Sequence, residues 1–537
     1  MIQYKKFVSI LGSSVVLLAS LWVVGCTNVQ STSTSEPAPP TKISAPIPTS
    51  ISMLTPSITS ISPPPGTFYV STSGSDNNSG SESAPWRHIQ YAVDRVGPGN
   101  TIYVMDGMYN EIVTFHHSGS ADGGYITLQN YPGHSPEIDG TGLPISGETG
   151  LVIIENMVYI KLIGFEIRNL KAGGVPEAFP AGIWIRGYGD HLEIRNNVVH
   201  DIENSCEECG AHGIAIYGRA ANASIHDIII DGNEVRDNKL GWSESLVLNG
   251  NVENFVVSNN KVHDNDNIGI DLIGFEETAP DPTVDRARDG TVVGNLVFNI
   301  DSFGNPAYGE QRNSNGIYVD GGTKIIIERN IIHDTNIGIE LASEYGGKNT
   351  SHITVRNNFV YNNTQVGIAF GGYDTERGST ENCVIVNNTL YNNATQGDWG
   401  AELYVQFDTR NNIVKNNIIY ANDARLFVES WSDVMTGNIV DYNLFFASGG
   451  VTDGSWVWKG KTYTQFGDYQ QASGNDANSL TGLDPRFVNT TTPDLHLQPT
   501  SPAIDKGQEL PETGRVDIDG LPRVKGAAID MGAAEIR

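Results

Sequence analysis

Positive charge is what this chain has least of. Lys and Arg number 33 against 62 Asp and Glu in 537 residues, a formal net charge of −29. Nucleic acid is excluded as a partner, because phosphate binding needs clustered Lys and Arg. A polyanionic substrate would be repelled unless a cation bridged it to the protein. Charged residues of both signs make up only 18%, while glycine reaches 59. That balance suits many short strands and turns better than helices. Long apolar runs are also missing, with one exception at the N-terminus.

That exception, Phe7 to Val24, follows Lys5 and Lys6 and has the layout of an export signal rather than part of a fold. It closes on Val23-Val24-Gly25-Cys26, which resembles the lipobox of bacterial lipoproteins. The resemblance implies that residues 1–25 are removed and that Cys26 is lipidated, anchoring the chain to a membrane of the cell envelope. Residues 26–65 are rich in Ser, Thr and Pro and cannot bury a core, so a mobile tether is expected. In an exported chain, Cys206 and Cys209 of CEEC are expected to form a tight disulfide. No second Cys or His pair stands at ligand spacing to favour a metal there.

The body repeats. The frame RNNVVHD (195–201) returns as DGNEVRD, SNNKVHD, VGNLVFN, ERNIIHD, RNNFVYN, VNNTLYN and KNNIIYA, with a degraded copy at YNLFF. It places Asn197, Asn233, Asn260, Asn295, Asn330, Asn358, Asn388, Asn417 and Asn443 in one column, 26 to 36 residues apart. Short period-two apolar runs in each copy supply strands. A lone coil cannot bury its inner face, whereas stacked coils can. Stacked Asn side chains can then hydrogen-bond along the stack. The chain thus resembles a right-handed parallel β-helix of the pectate-lyase-like superfamily, over roughly 66–537. YVSTSGSDNNSGSESAPWRHIQYAVDRVGPGNTIYVMDGMY (69–109) is similar to the opening of such proteins, and 484–535 to their closing segment. An all-β solenoid over 66–450 is expected, with a capping helix through Trp86, Ile89, Ala92, Val93 and Val96. Irregular coils and a cap are expected over 451–537. His200, His263 and His333 fall in an outward column and are expected to form a surface stack.

A second column precedes the Asn frame: GIWIR (182–186), GIAIY, SLVLN, GIDLI (269–273), GIYVD (316–320), GIELA (338–342), GIAFG, ELYVQ (402–406) and RLFVE (425–429). Second and fourth positions are apolar and point inward, so third and fifth positions point outward. The third-position column reads Trp184, Ala215, Val247, Asp271, Tyr318, Glu340, Ala369, Tyr404 and Phe427. Asp271 and Glu340 are then two rungs apart, roughly 9–10 Å between Cα atoms, with Asp320 on the rung between them. Insertions at 201–211, 274–289, 300–314, 343–350 and 372–380 are expected to wall a groove over these acids.

Three functions fit. The superfamily resemblance implies polysaccharide cleavage by β-elimination at a uronate. Asp271, Asp320, Glu340 and Glu344 would then ligate Ca²⁺, while Lys348 and Arg377 would act as base and carboxylate neutraliser. The Asp-Asp cluster of the superfamily's calcium-dependent pectate lyases has no counterpart here. The second function is inverting glycoside hydrolysis using Asp271 and Glu340, or Asp320, as acid and base. The third is a non-catalytic glycan-binding or structural solenoid. Trp184, Tyr318, Tyr404, Arg312 and His212 are the candidate substrate contacts. A monomer is expected.

Overall fold

The computed structural model describes residues 66–397, 399–422, 426–447 and 454–537. The export segment, Cys26 and the tether to 65 lie outside the described residues, as does Arg425. The rest forms a parallel β-solenoid. The coils stack into three sheets, two of 13 strands and one of 17 among the described residues, the last because several later coils give it two short strands, such as Asn349–Ser351 and Thr354–Arg356. The functional interest lies on one 13-stranded sheet, called here the site sheet. Its central strands are Ala178–Gly187, His212–Gly218, Leu246–Gly250, Ile270–Ile273, Asn315–Asp320, Ile337–Ala342, Val366–Phe370, Leu403–Val405 and Leu426–Glu429.

The inward aliphatics stack in register: Ile183, Ile214, Leu246, Ile270, Ile317, Ile339, Ile368 and Leu403 pair rung to rung. They belong to one continuous core. The Asn column is a hydrogen-bonded ladder. Each Nδ2 donates to the Oδ1 of the next Asn, at 2.9–3.1 Å, from Asn197 through Asn443. Each Oδ1 also accepts the backbone N–H of the preceding ladder residue. The residue before each ladder Asn is left-handed, with φ between 53° and 68°, which explains the Asn and Gly found there. The outward rings of His263, Phe298, His333 and Tyr361 stack at 4.6–5.1 Å, while His200 pairs with Glu166 and Asp201.

At the N-terminal end the helix α1 is short, Ile89–Val93, and it turns Ile89, Ala92 and Val93 into the core beside Trp86 and Val96. At the other end, Trp456, Phe466 and Tyr469 close the core against Phe427 and Phe445. Phe466 and Tyr469 come from a second helix, α2 (Phe466–Ser473), which Gly474 ends in a left-handed turn. There Asn443 N–H donates to Ser479 Oγ, and Asn443 Nδ2 lies 3.5 Å from Asp476 Oδ1, so these two residues receive the last ladder rung. Parallel pairing reaches Leu480–Thr481, past the boundary expected at 450. The closing segment does not sit on the end of the solenoid. It runs back along its flank, where Arg356, Asn387 and Asn416 donate to carbonyls of Glu512, Asp530 and Gln508. Phe487, Leu495 and Met531 pack there on Phe359, Ile418 and Leu444.

One register expectation is corrected. Tyr404 pairs with Glu429, not Phe427, and the Leu426–Glu429 strand bulges between Leu426 and Val428 in its pairing with the next strand, Ser455–Trp458. Phe427 therefore turns into the core and Glu429 takes the outward third position.

Candidate functional site

The outward grid on the site sheet gathers the acids. Asp271 pairs with Tyr318 and Tyr318 with Glu340, so Tyr318 stands between the two carboxyls in one column. Asp320 lies two residues beyond Tyr318 and pairs with Ala342. Asp271, Asp320 and Glu340 are buried. Two more carboxyls join them from the turns that follow: Glu276 accepts from Asn249 Nδ2 at 2.7 Å, and the Glu344 N–H donates to Asp320 Oδ1 at 2.7 Å. Glu276 is exposed to solvent and Glu344 is half-buried.

Period-two counting missed another member, Glu244. Each strand of this sheet opens with a residue such as Gly182, Gly213, Gly269 or Gly316, whose added Cβ would strike core side chains such as Val199, Val235, Val297 and Ile332. That position and the aliphatic after it both face inward. The alternation breaks there, and the residue before the glycine faces outward again. Its column contains Ala181, His212, Asn315, Ile337 and Val366. Glu244 precedes Ser245, the counterpart of these glycines, and sits 3.4 Å from His212 Nδ1. The usable signal was the polar residue immediately before the GI-x-L strand.

Crowding of carboxyls in a poorly solvated groove moves their titration. Burial, then the charges of Glu244, Asp320 and Glu276, pushes the Asp271 carboxyl well above the usual range. Burial and Glu344 do the same to Asp320. Burial raises Glu340 to about 7, against hydrogen bonds from Gln406 and Asn315. Burial and Glu244 raise Glu276 to about 7. Glu344 is raised by burial as well, but the Arg377 charge and hydrogen bonds from Tyr318 and Tyr373 pull it back toward its anion. Asp320 and Glu344 are thus both raised, and at Glu344 a cation and two tyrosine hydroxyls oppose the rise. Tyr308, from the 300–314 insertion, packs tilted against Trp242 at 4.8 Å and lies within electrostatic reach of Glu244, Asp271 and Glu344. Tyr308 and Tyr373 sit on insertions, where no repeat fixes their direction.

The other expected residues divide. Arg377 is in the site: it donates to the Glu344 carbonyl, lies 3.5 Å from Asp374 and covers the Tyr373 ring at 4.6 Å. Lys348 is exposed, its ammonium 5.0 Å from the Phe275 ring. Arg312 is held by Asp301 at 3.2 Å and lies over Phe303. Trp184 is only 1% exposed, packed with Tyr217 and His212 three rungs before Asp271, so it offers no open face to a sugar. Its neighbour His212 is buried with it. Tyr404 is half-buried two rungs beyond Glu340. Cys206 and Cys209 are disulfide-bonded in the 201–211 insertion, and Cys383 is a buried thiol. Among the described residues no three His, Cys, Asp or Glu side chains converge closely enough to hold a metal ion. Asp271, Asp320, Glu340 and Glu344 as placed do not form an oxygen cage for Ca²⁺.

Comparison with known proteins adds family context. Residues 68–228 match the family described as Pel9A-like, right handed beta helix region, and residues 291–468 match the one described as right handed beta helix region. The first stretch ends before the carboxyl cluster begins. The chain is 40% identical over 437 residues to YwoF of Bacillus subtilis (strain 168), an uncharacterized protein, covering 81% of this chain and 92% of that one. It is 30% identical over 146 residues to pectate lyase PEL9 of Emericella nidulans, 24% of this chain and 33% of that one. The solved structure of XylC with xylose superposes over 88% of this chain and 99% of its own, with a TM-score of 0.50 and 12% identity, a likeness of fold.

Proposed function

The chain belongs, with YwoF, to the right-handed parallel β-helix proteins of the pectate-lyase-like superfamily, and from that footing we propose that it is a carbohydrate-active enzyme, a glycoside hydrolase. The observation that carries the reading is the neighbouring pair Asp320 and Glu344: the Glu344 N–H donates to Asp320 Oδ1, burial raises both carboxyls, and at Glu344 the Arg377 charge and hydrogen bonds from Tyr318 and Tyr373 oppose the rise. Environments that separate two carboxyls in this way assign acid and base roles. In this reading the proton rests on Asp320 and Glu344 carries the charge. In the reaction Asp320 gives that proton to the glycosidic oxygen as the bond to the anomeric carbon breaks. Glu344 as carboxylate either attacks that carbon or takes a proton from the attacking water. Asp271 and Glu340 flank the pair, separated from each other by Tyr318, and hold sugar hydroxyls. The neighbouring Asn315 Oδ1 and Gln406 Oε1 are buried acceptors without a hydrogen-bond partner among the described residues, suited to the same task. Lipid on Cys26 would hold the enzyme at the cell envelope, with the tether to 65 as spacer.

Elimination is the second reading, favoured by the likeness to pectate lyase PEL9. It needs a base near the carboxyls; Arg377 is engaged with Glu344, which leaves Lys348, exposed with its ammonium 5.0 Å from the Phe275 ring, as the candidate. The test is incubation of the mature protein with a panel of neutral and uronate polysaccharides, with Ca²⁺ or with chelator. Hydrolysis gives reducing ends without ultraviolet absorbance and is indifferent to chelator. Unsaturated uronate products that disappear with chelator would replace the proposal with elimination. Binding without any cleavage would leave a non-catalytic solenoid.

A further inference from the structure

Beyond Glu340, toward the C-terminal end, the site sheet changes character from acidic to aromatic. In the third-position column Glu340 is followed by Ala369, Tyr404 and Glu429. In the next outward column Asp320 is followed by Ala342; the same register, carried along the strands, brings Gly371, Gln406 and Trp431. The small residues leave room for larger neighbours to lie back over them. Tyr404 packs on Ala369, and Gln406 reaches two rungs to donate to Glu340 Oε1 at 3.0 Å. Past that bridge two indoles stand at the surface, Trp399 36% exposed and Trp431 59% exposed. The Trp399 ring lies 6.1 Å from Tyr404. Trp431 is not loose: its Nε1 donates at 2.5 Å to Glu429 Oε1, whose other oxygen takes the Gly400 N–H at 2.9 Å. Glu429 is itself buried.

A buried carboxylate that fixes the largest exposed aromatic is a construction for presenting a ring face. Trp with its N–H satisfied offers a rigid apolar surface at low entropic cost. Glu429 is three rungs past Glu340, roughly 14 Å along the groove, farther than a single pyranose ring bound at the carboxyls extends. We propose that Trp399, Tyr404 and Trp431 form a distal subsite that stacks a sugar ring of a glycan chain whose scissile bond lies at the carboxyl pair, so that the enzyme selects chains over disaccharides. The inference rests on the hydrolase reading for its orientation, while its test does not depend on turnover. Binding of cello-, xylo- and galacturono-oligosaccharides of two and six residues is measured by calorimetry and by tryptophan fluorescence, using Asp320→Asn as the parent. The expected result is tighter binding of at least one hexasaccharide than of its disaccharide, and a roughly tenfold fall in that ratio in Trp431→Ala. Trp431→Phe, which keeps a ring but loses the hydrogen bond to Glu429, should restore only part of it, and Trp399→Ala should lower it independently. A ratio unchanged in both alanine variants, or no binding by any hexasaccharide, overturns the subsite. Full turnover by Asp320→Asn would overturn the catalytic assignment alone.

Discussion

Asp320 accepts the Glu344 backbone N–H, and Glu344 has the Arg377 charge and two tyrosine hydroxyls opposing the rise that burial gives both carboxyls, a difference that single substitutions can read. Asp320→Asn removes the proton donor and should lower turnover at least about a hundredfold, since positioned acid catalysis contributes that much; progress curves of reducing-end release check it. Arg377→Ala removes the leading influence that draws Glu344 toward its anion. The Glu344 proton is then held more tightly, so the rising acid limb of the pH dependence of kcat/KM should move to higher pH. A limb that stays in place would mean that Glu344 is not the ionising base. At Trp184 the expectation inverts: a ring only 1% exposed serves packing. Trp184→Ala should therefore cost about 3–5 kcal/mol in denaturant unfolding and change glycan affinity little once folded.

At the scale of strands and turns, the ladder is the element to break. Asn330 accepts two donors from Asn295 and gives its own Nδ2 to Val292 O and Asn358 Oδ1. Asn330→Ala leaves buried donors on one side and acceptors on the other, and should destabilise by about 2–4 kcal/mol in urea titrations, whereas Asn443→Ala at the end should cost less. The ladder and the inward Ile and Leu columns were legible because the sequence repeats them at fixed offset from one Asn. The outward acids Asp271, Asp320 and Glu340 followed from the same parity. What escaped did so where parity breaks. Glu244 hides behind a second inward residue, Glu429 was expected outward but falls one column over, and Tyr308 and Tyr373 lie on insertions that no neighbouring rung constrains. Trp184 was placed on the correct face, but burial of that face depends on the bulky Tyr217 and His212 on the adjoining rung.

The molecule as a whole carries carboxyls that fold into protonated surroundings. Burial raises Glu340, Asp476 and Glu535 to about 7, and Glu402, wholly enclosed beside Asn393, to about 8. For each, the folded state holds its proton more tightly than the unfolded chain does. The stabilisation is full below the unfolded carboxylate range and is lost as pH rises through 7 to 8. Groups lowered by cations, such as Glu148 and Glu193, act in the opposite sense only in more acidic solution. The melting temperature should therefore be higher near pH 5.5 than near pH 8.5, and Glu402→Gln should flatten part of that slope in calorimetry. The amide ladder has a directional consequence of its own. Every side chain in it hands hydrogens to the rung ahead, so the stack is a wire with a sign. It can be lengthened by any number of coils, yet wherever it stops it presents donors that only an acceptor can terminate. Ser479 and Asp476 are that terminator, and a shortened solenoid would have to carry the same chemistry to its new last coil.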